Sequence, residues 1–139
     1  MVCFGLTDCY SLPVHDLYLD VFQKIKSAGF TTVSFYTFWG LHEPKRGAGI
    51  DFSGFRNVEP FIQAAQQAGI YLIARPGPYI NAETTGGGFP GWGARDPSLW
   101  RTSNSSYVEA YQAYVRFVRP LSSGCPCFLL VVTTAHLAS

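Results

Sequence analysis

The sequence predicts an α/β chain built on a parallel sheet. Three observations carry this: helix-like and strand-like segments alternate, each connection between strands is long enough to hold a crossover helix, and polar and aromatic residues crowd the ends of the strand-like runs. Both a doubly wound sheet and a piece of a (β/α)8 barrel satisfy them, and in both the chemistry gathers at the carboxyl ends of the strands. With 139 residues the chain suffices for one ordinary domain but falls short of most closed α/β barrels.

The elements follow in order. In "HDLYLDVFQKIKSAGF", Leu17, Val21, Ile25 and Ala28 recur at helical spacing, which predicts a helix from about Asp16, as its cap, to Ala28, with Gly29 as its stop. "TTVSFYTFW" is rich in β-branched and aromatic residues and predicts a strand ending near Tyr36, followed by a loop holding Pro44, Gly47 and Gly49. "NVEPFIQAAQQAG" repeats the helical pattern, with Asn57 as cap, Pro60 in the first turn and Gly69 at the end. "IYLIAR" is a short apolar run suited to a strand covered on both faces, and it must stop at Arg75 because Pro76 and Pro78 cannot donate to a ladder. Tyr107, Tyr111, Tyr114, Val115 and Val118 predict a third helix behind capping serines, and "FLLVV" a further strand.

Composition narrows the function. Charged residues make up 14% and aromatics 16%, with a net charge of +1, so no field favours nucleic acid or acidic partners and a neutral ligand fits better. No apolar run reaches the roughly 20 residues of a membrane span, and "MVCFGLTDCYSLPVHD" lacks the basic start and apolar stretch of a signal peptide. Cys3, Cys9, Cys125 and Cys127 match neither a redox motif nor zinc-ligand spacing, so they read as unpaired thiols, with no metal and no cofactor implied. Asn104, Ser105 and Ser106 form an N-glycosylation acceptor pattern.

Two loops follow the predicted strands on what would be one rim. In "RPGPYINAETTGGGFPGWG", Gly86, Gly88 and Gly91 satisfy G-x-G-x-x-G, but a dinucleotide fingerprint needs a strand directly before and a helix directly after. Here a gap separates Arg75 from Gly86, Pro90 interrupts the glycines and "GWGARDPS" reads as turn, so the match is accidental. Asn81 and Glu83 stand two apart, where an extended segment would point both the same way, with Tyr79, Phe89 and Trp92 near. An amide, a carboxylate and rings suit a sugar's hydroxyls and C–H faces, while the same polar pair equally suits a loop-stabilising network. Tyr36, Trp39, His42 and Glu43 furnish the other loop, where Glu43-Pro44 could also simply start a turn and Trp39 could be core.

The stretch from "LYLDVFQKIKSAGF" through "RPGPYINAE" to "GGGFPGW" resembles the β-galactosidases of glycoside hydrolase family 35, the fungal ones above all. "RPGPYINAE" is its most specific part, "W-x-x-HEP" is shared with other barrel glycosidases, and "Trp100-Arg101-Thr102" is similar to an "LRT" before the next family helix. The resemblance implies a (β/α)8 barrel, here only its first few βα units, and removal of terminal β-D-galactose with retention. It carries galactose binding over to Tyr36, Asn81, Ala82 and Glu83, with a galactoside as substrate and no nucleic-acid or membrane partner. It also implies a secreted family.

Retaining hydrolysis needs two carboxyl groups about 5–5.5 Å apart. The resemblance places the acid/base in an "ENEY"-like segment and the nucleophile on a later strand, and neither is found here; where the first would stand the chain reads "SSGCPCFLLVVTTAHLAS", and Glu109 is its last acidic residue. Residues 1–139 are therefore expected to be one fragment of a catalytic barrel, family-like over about 12–117 and divergent at 1–11 and 118–139, inactive alone. Unclosed strand edges and the window "CFLLVV" add an aggregation liability. A non-catalytic carbohydrate-binding or interaction protein from the same barrel, or another barrel glycosidase, are the alternatives.

Overall fold

The computed structural model describes residues 3–5, 14–93, 100–118 and 128–130. Four strands form one sheet in sequential order: β1 (Cys3–Gly5), β2 (Thr32–Tyr36), β3 (Tyr71–Arg75) and β4 (Phe128–Leu130). All three neighbouring pairs are parallel, and β2 meets β3 in a register that sets Tyr36 beside Arg75. A doubly wound sheet reverses its strand order at a switch point. This sheet does not, so it is a partial (β/α)8 barrel, with the helices Tyr18–Ser27 and Glu59–Ala68 packed together on one of its faces.

Between β1 and β2 lies α1 (Tyr18–Ser27), entered through a 3-10 turn at His15–Leu17; then come α2 (Trp39–His42), α3 (Glu59–Ala68) and α4 (Ser105–Val118). The first helix differs from its predicted face. Tyr18, Phe22 and Ile25 are buried, while Leu17 is 47% exposed and Ala28 is exposed as well. Two aromatic rings bring more apolar area to the core than Leu17 and Val21, and the helix rotates to bury them. Asp16 falls inside the 3-10 turn and no side chain caps either start.

Phe61 on α3 is the hub of the core, meeting Tyr18, Phe22 and Phe35 at ring-centroid distances of 5.3, 4.9 and 5.0 Å. Asn57 Oδ1 accepts the Glu59 amide at 2.9 Å and Gly69, left-handed at φ 69°, closes the helix, as the sequence predicts. At α4 the capping oxygen comes from Asn104, whose Oδ1 takes the Ser106 amide at 2.9 Å, rather than from the serines. Its buried Tyr107, Tyr114 and Val118 match the predicted spacing.

On β2 and β3, Val33, Phe35, Leu72 and Ala74 face α1 and α3. The other face carries Ser34, Tyr36, Ile73 and Arg75, and β3 is not covered on both sides as expected: Tyr71 is 58% exposed and Arg75 is exposed. That second face is the interior of a barrel, which four strands do not close.

β1 is not among the elements the sequence predicts, and α2 occupies part of the stretch it predicts as loop. Cys9, Cys125 and Cys127, the Ala94–Leu99 part of the predicted turn, Leu12-Pro13, and the end of the "FLLVV" run lie outside the described residues. Among the described residues, no helix is long and apolar enough to cross a membrane, and no group of three or more His, Cys, Asp or Glu could hold a metal ion.

Candidate carbohydrate site

Because β2 and β3 are parallel and end in register, the segments after Tyr36 and after Arg75 leave from the same rim. Tyr36 is half-buried on the barrel-interior face. Its phenol oxygen accepts from Arg75 Nη1 at 2.6 Å, and the guanidinium carbon sits 4.5 Å from the centre of the same ring.

Asn81, Ala82 and Glu83 follow a turn through Pro76, Gly77 and Pro78, and Asn81 and Glu83 are exposed with Ala82 half-buried. The segment is not extended as predicted. Asn81 adopts φ 53°, a left-handed conformation that asparagine tolerates better than most residues, and so the alternation of an extended chain does not apply. Tyr79 Oη donates to Asn81 Oδ1 at 2.8 Å. The Tyr79 ring is packed in turn by Arg101, 4.7 Å from its centre, and by the backbone of Gly87, where a Cβ would come within 2.6 Å of the ring.

The other candidates on the first loop have different work. Trp39 is fully buried, and its Nε1 donates to Glu43 Oε2 at 2.7 Å, while Glu43 Oε1 accepts the Gly47 amide at 2.9 Å. His42 is also buried; its ring lies 4.2 Å from Phe52 and its Nδ1 donates to the Asp51 carbonyl at 2.9 Å, which fixes the tautomer because a carbonyl only accepts. Burial holds the His42 pKa below its ordinary value. The "HEP" letters thus build the loop: the turn-and-core reading of Glu43 and Trp39 holds.

Phe89 and Trp92, both half-buried, join an aromatic cluster around Trp39. Trp39 meets Phe89, Trp92 and Trp100 edge-on at 6.3, 5.6 and 5.8 Å and stacks on Tyr114 at 5.6 Å. Trp92 Nε1 donates to the Glu43 carbonyl at 2.9 Å, and Trp100 Nε1 to the Gly93 carbonyl at 2.7 Å. Tyr114 Oη, donating to the Thr37 carbonyl at 3.2 Å and receiving the Thr37 hydroxyl at 2.9 Å, ties α4 to the end of β2. Burial, the main cause, pushes the Tyr107 phenol in this cluster up to about 12.

The glycine spacing has no dinucleotide geometry. Thr85–Gly88 is a short 3-10 turn interrupted by left-handed Gly86 and Gly87, so these glycines do not lie between the end of a strand and the start of an α-helix. The sequence reading missed Arg75 and the Thr37–Tyr114 tie. Arg75 was visible as the one charged residue of an otherwise apolar strand; the tie joins positions 77 apart and leaves no local mark.

The model of glycosyl hydrolases family 35 matches residues 7–124. The chain belongs to this family. This family 35 chain is 52% identical over 118 residues to a probable β-galactosidase A of Neosartorya fischeri and 50% identical over 118 residues to a β-galactosidase of Aspergillus niger. Each comparison covers 85% of this chain and 12% of the relative, so the chain spans about an eighth of the length of the curated relatives it matches. Among solved structures it is similar in fold to a GH5_18 protein of Bifidobacterium longum subsp. infantis, with TM-score 0.72 and 14% identity over 95% of this chain and 32% of the other. An exo-β-1,4-mannosidase of an Opitutaceae bacterium gives TM-score 0.70 and 19% identity over 99% and 26%. Identities this low speak for the barrel fold alone, while the family match sets aside another glycosidase family.

Proposed function

We propose that this chain contributes the galactose-binding rim of a retaining β-galactosidase, with Tyr36, Asn81, Ala82 and Glu83 around the sugar. The observation that carries the reading is that Tyr36 and the Asn81–Glu83 segment leave the carboxyl ends of two adjacent parallel strands, in a family 35 chain half identical to β-galactosidases. A phenol, an amide and a carboxylate offer both donors and acceptors to vicinal hydroxyls. Glu83 is exposed and has no hydrogen bond or ion pair to another described residue, so its oxygens are available to a ligand.

These groups position a sugar and do not cut it. The two carboxyl groups of retaining chemistry stand about 5–5.5 Å apart across the anomeric carbon. Among the described residues Glu43 is consumed by Trp39 and Gly47, and Glu109 lies on α4, so no second rim carboxylate pairs with Glu83. The acid/base and the nucleophile belong to parts of the enzyme outside this chain, and the chain alone is inactive. The same reading puts the whole enzyme outside the cell.

Calorimetric titration of the folded chain with galactose tests the proposal. Saturable binding that Glu83→Gln weakens supports it; a folded chain that takes up no galactose overturns it. Release of nitrophenol from a nitrophenyl β-galactoside, abolished by Glu83→Ala, would overturn the non-catalytic assignment.

A further inference from the structure

We propose that Arg75 is the positioning residue of the sugar site: one guanidinium fixes both the tilt of the Tyr36 ring and the place of its hydroxyl oxygen. The inference rests on the galactose reading of Tyr36 and goes beyond it, by naming the group on which that tyrosine depends.

Three features of the pair carry it. Tyr36 and Arg75 are register partners at the last rung of β2 and β3, so their side chains leave the same face side by side. The guanidinium lies across the ring, its carbon 4.5 Å from the centroid, while Nη1 of the same group reaches the phenol oxygen at 2.6 Å. Stacking alone would leave the ring free to slide, and a lone hydrogen bond would leave it free to swing; together they leave one position.

The direction of the bond matters for a sugar. Arginine has no acceptor, so the phenol oxygen receives and its proton is not taken by Arg75. What Arg75 holds is thus the phenol oxygen itself, the atom through which Tyr36 would meet a sugar hydroxyl. A binding group must sit within about 0.5 Å of its productive place. Lysine cannot substitute, because a point-like ammonium lacks the planar fork that serves ring and oxygen at once.

The test is a double-mutant cycle read by galactose affinity in the folded 139-residue chain, with far-UV circular dichroism and a thermal melt for each variant. Arg75 is exposed, so its replacement does not disturb the core. Arg75→Met is expected to weaken galactose binding about tenfold, as loss of a charge-assisted contact does, with Arg75→Lys in between. Tyr36→Phe keeps the ring and removes the oxygen, and in that background Arg75→Met should add nothing further.

Each outcome decides something. If the wild-type chain binds and Arg75→Met binds as well, the positioning role is wrong and the galactose reading survives. If the Arg75→Met loss persists undiminished beside Tyr36→Phe, Arg75 acts on the sugar directly and the inference is overturned. If the folded wild-type chain binds no galactose, the functional reading fails and the inference falls with it.

Discussion

Trp39 Nε1 and Glu43 Oε2 lie 2.7 Å apart, one helical turn from each other, in a pocket that leaves the tryptophan fully buried and the glutamate 8% exposed. The carboxylate has a second duty on its other oxygen, which accepts the Gly47 amide at 2.9 Å. One side chain thus satisfies two donors, a buried indole N–H and a part-buried turn amide. This identifies Glu43 as the clamp that folds the β2 loop over the aromatic cluster.

Replacing Glu43 by Gln should therefore destabilise without touching the sugar. A glutamine has one acceptor oxygen for two donors, so one of them faces an amide NH2 and is left unpaired. The loss of a buried partner costs about 1–3 kcal/mol. Urea denaturation should show a lower midpoint of that size, while galactose affinity of the folded fraction stays within twofold. An unchanged midpoint would show that water already serves one of the donors.

His42 gives the chain a pH-dependent stability of known sign. Desolvation lowers its pKa in the folded chain, so the unfolded chain binds the proton more readily. Stability is then full above the unfolded value of about 6.5 and declines as pH falls from there toward the folded value. Asp51, whose pKa is lowered chiefly by the Ser53 hydrogen bonds, contributes its own loss with the same sign, but only in the carboxylate range near 4. Melting temperatures between pH 7.5 and 5 should fall in the wild type and stay flatter in His42→Gln, itself less stable at pH 7.5 because ring packing on Phe52 is lost. Equal slopes for both would remove His42 as the cause.

Gly93 is required by shape. A Cβ at this position would stand 1.4 Å from the Trp100 ring, whose Nε1 donates to the Gly93 carbonyl. Gly93→Ala must displace the indole from its stack on Phe89, centroids 4.2 Å apart, and break its hydrogen bond as well. Overpacking of this kind costs about 1–3 kcal/mol. Near-UV circular dichroism should lose intensity in the tryptophan bands while the far-UV spectrum persists, and an unchanged near-UV spectrum would contradict the packing described.

How much of this was legible in the letters depends on range. Strand β3 ends at Arg75 because two prolines follow it, and α3 runs between Asn57 and Gly69 because cap and stop are local chemistry; both show in the sequence. The face of α1 does not, because whether Leu17 or Tyr18 turns inward is decided by Phe61 of α3, more than forty residues away. β1 is three residues long and is defined by pairing with β2, which no window of its own sequence records. At the site, the rim positions of Tyr36 and Asn81–Glu83 follow from strand ends, whereas the left-handed turn at Asn81 and the gathering of Phe89 and Trp92 around Trp39 depend on the aromatic cluster that α4 completes.

That left-handed turn is where Tyr79 becomes testable. Its hydroxyl donates to Asn81 Oδ1 at 2.8 Å, while Arg101 and the Gly87 backbone pack on its ring, so the amide is held by a tyrosine that is itself held. Tyr79→Phe preserves the ring contacts and removes only the donor. A neutral hydrogen bond contributes about 0.5–1.5 kcal/mol, so galactose affinity should fall between twofold and tenfold with an almost unchanged melting temperature. Gly87→Ala acts on the same amide by a different route, since a methyl group pushed against the ring must shift Tyr79 and its oxygen together, and φ 62° at that position strains any side chain. It should lower affinity at least as much as Tyr79→Phe and lower the melting temperature too. If both variants bind galactose like the wild type, Asn81 does not owe its placement to Tyr79, and the loop must hold the amide through its backbone alone.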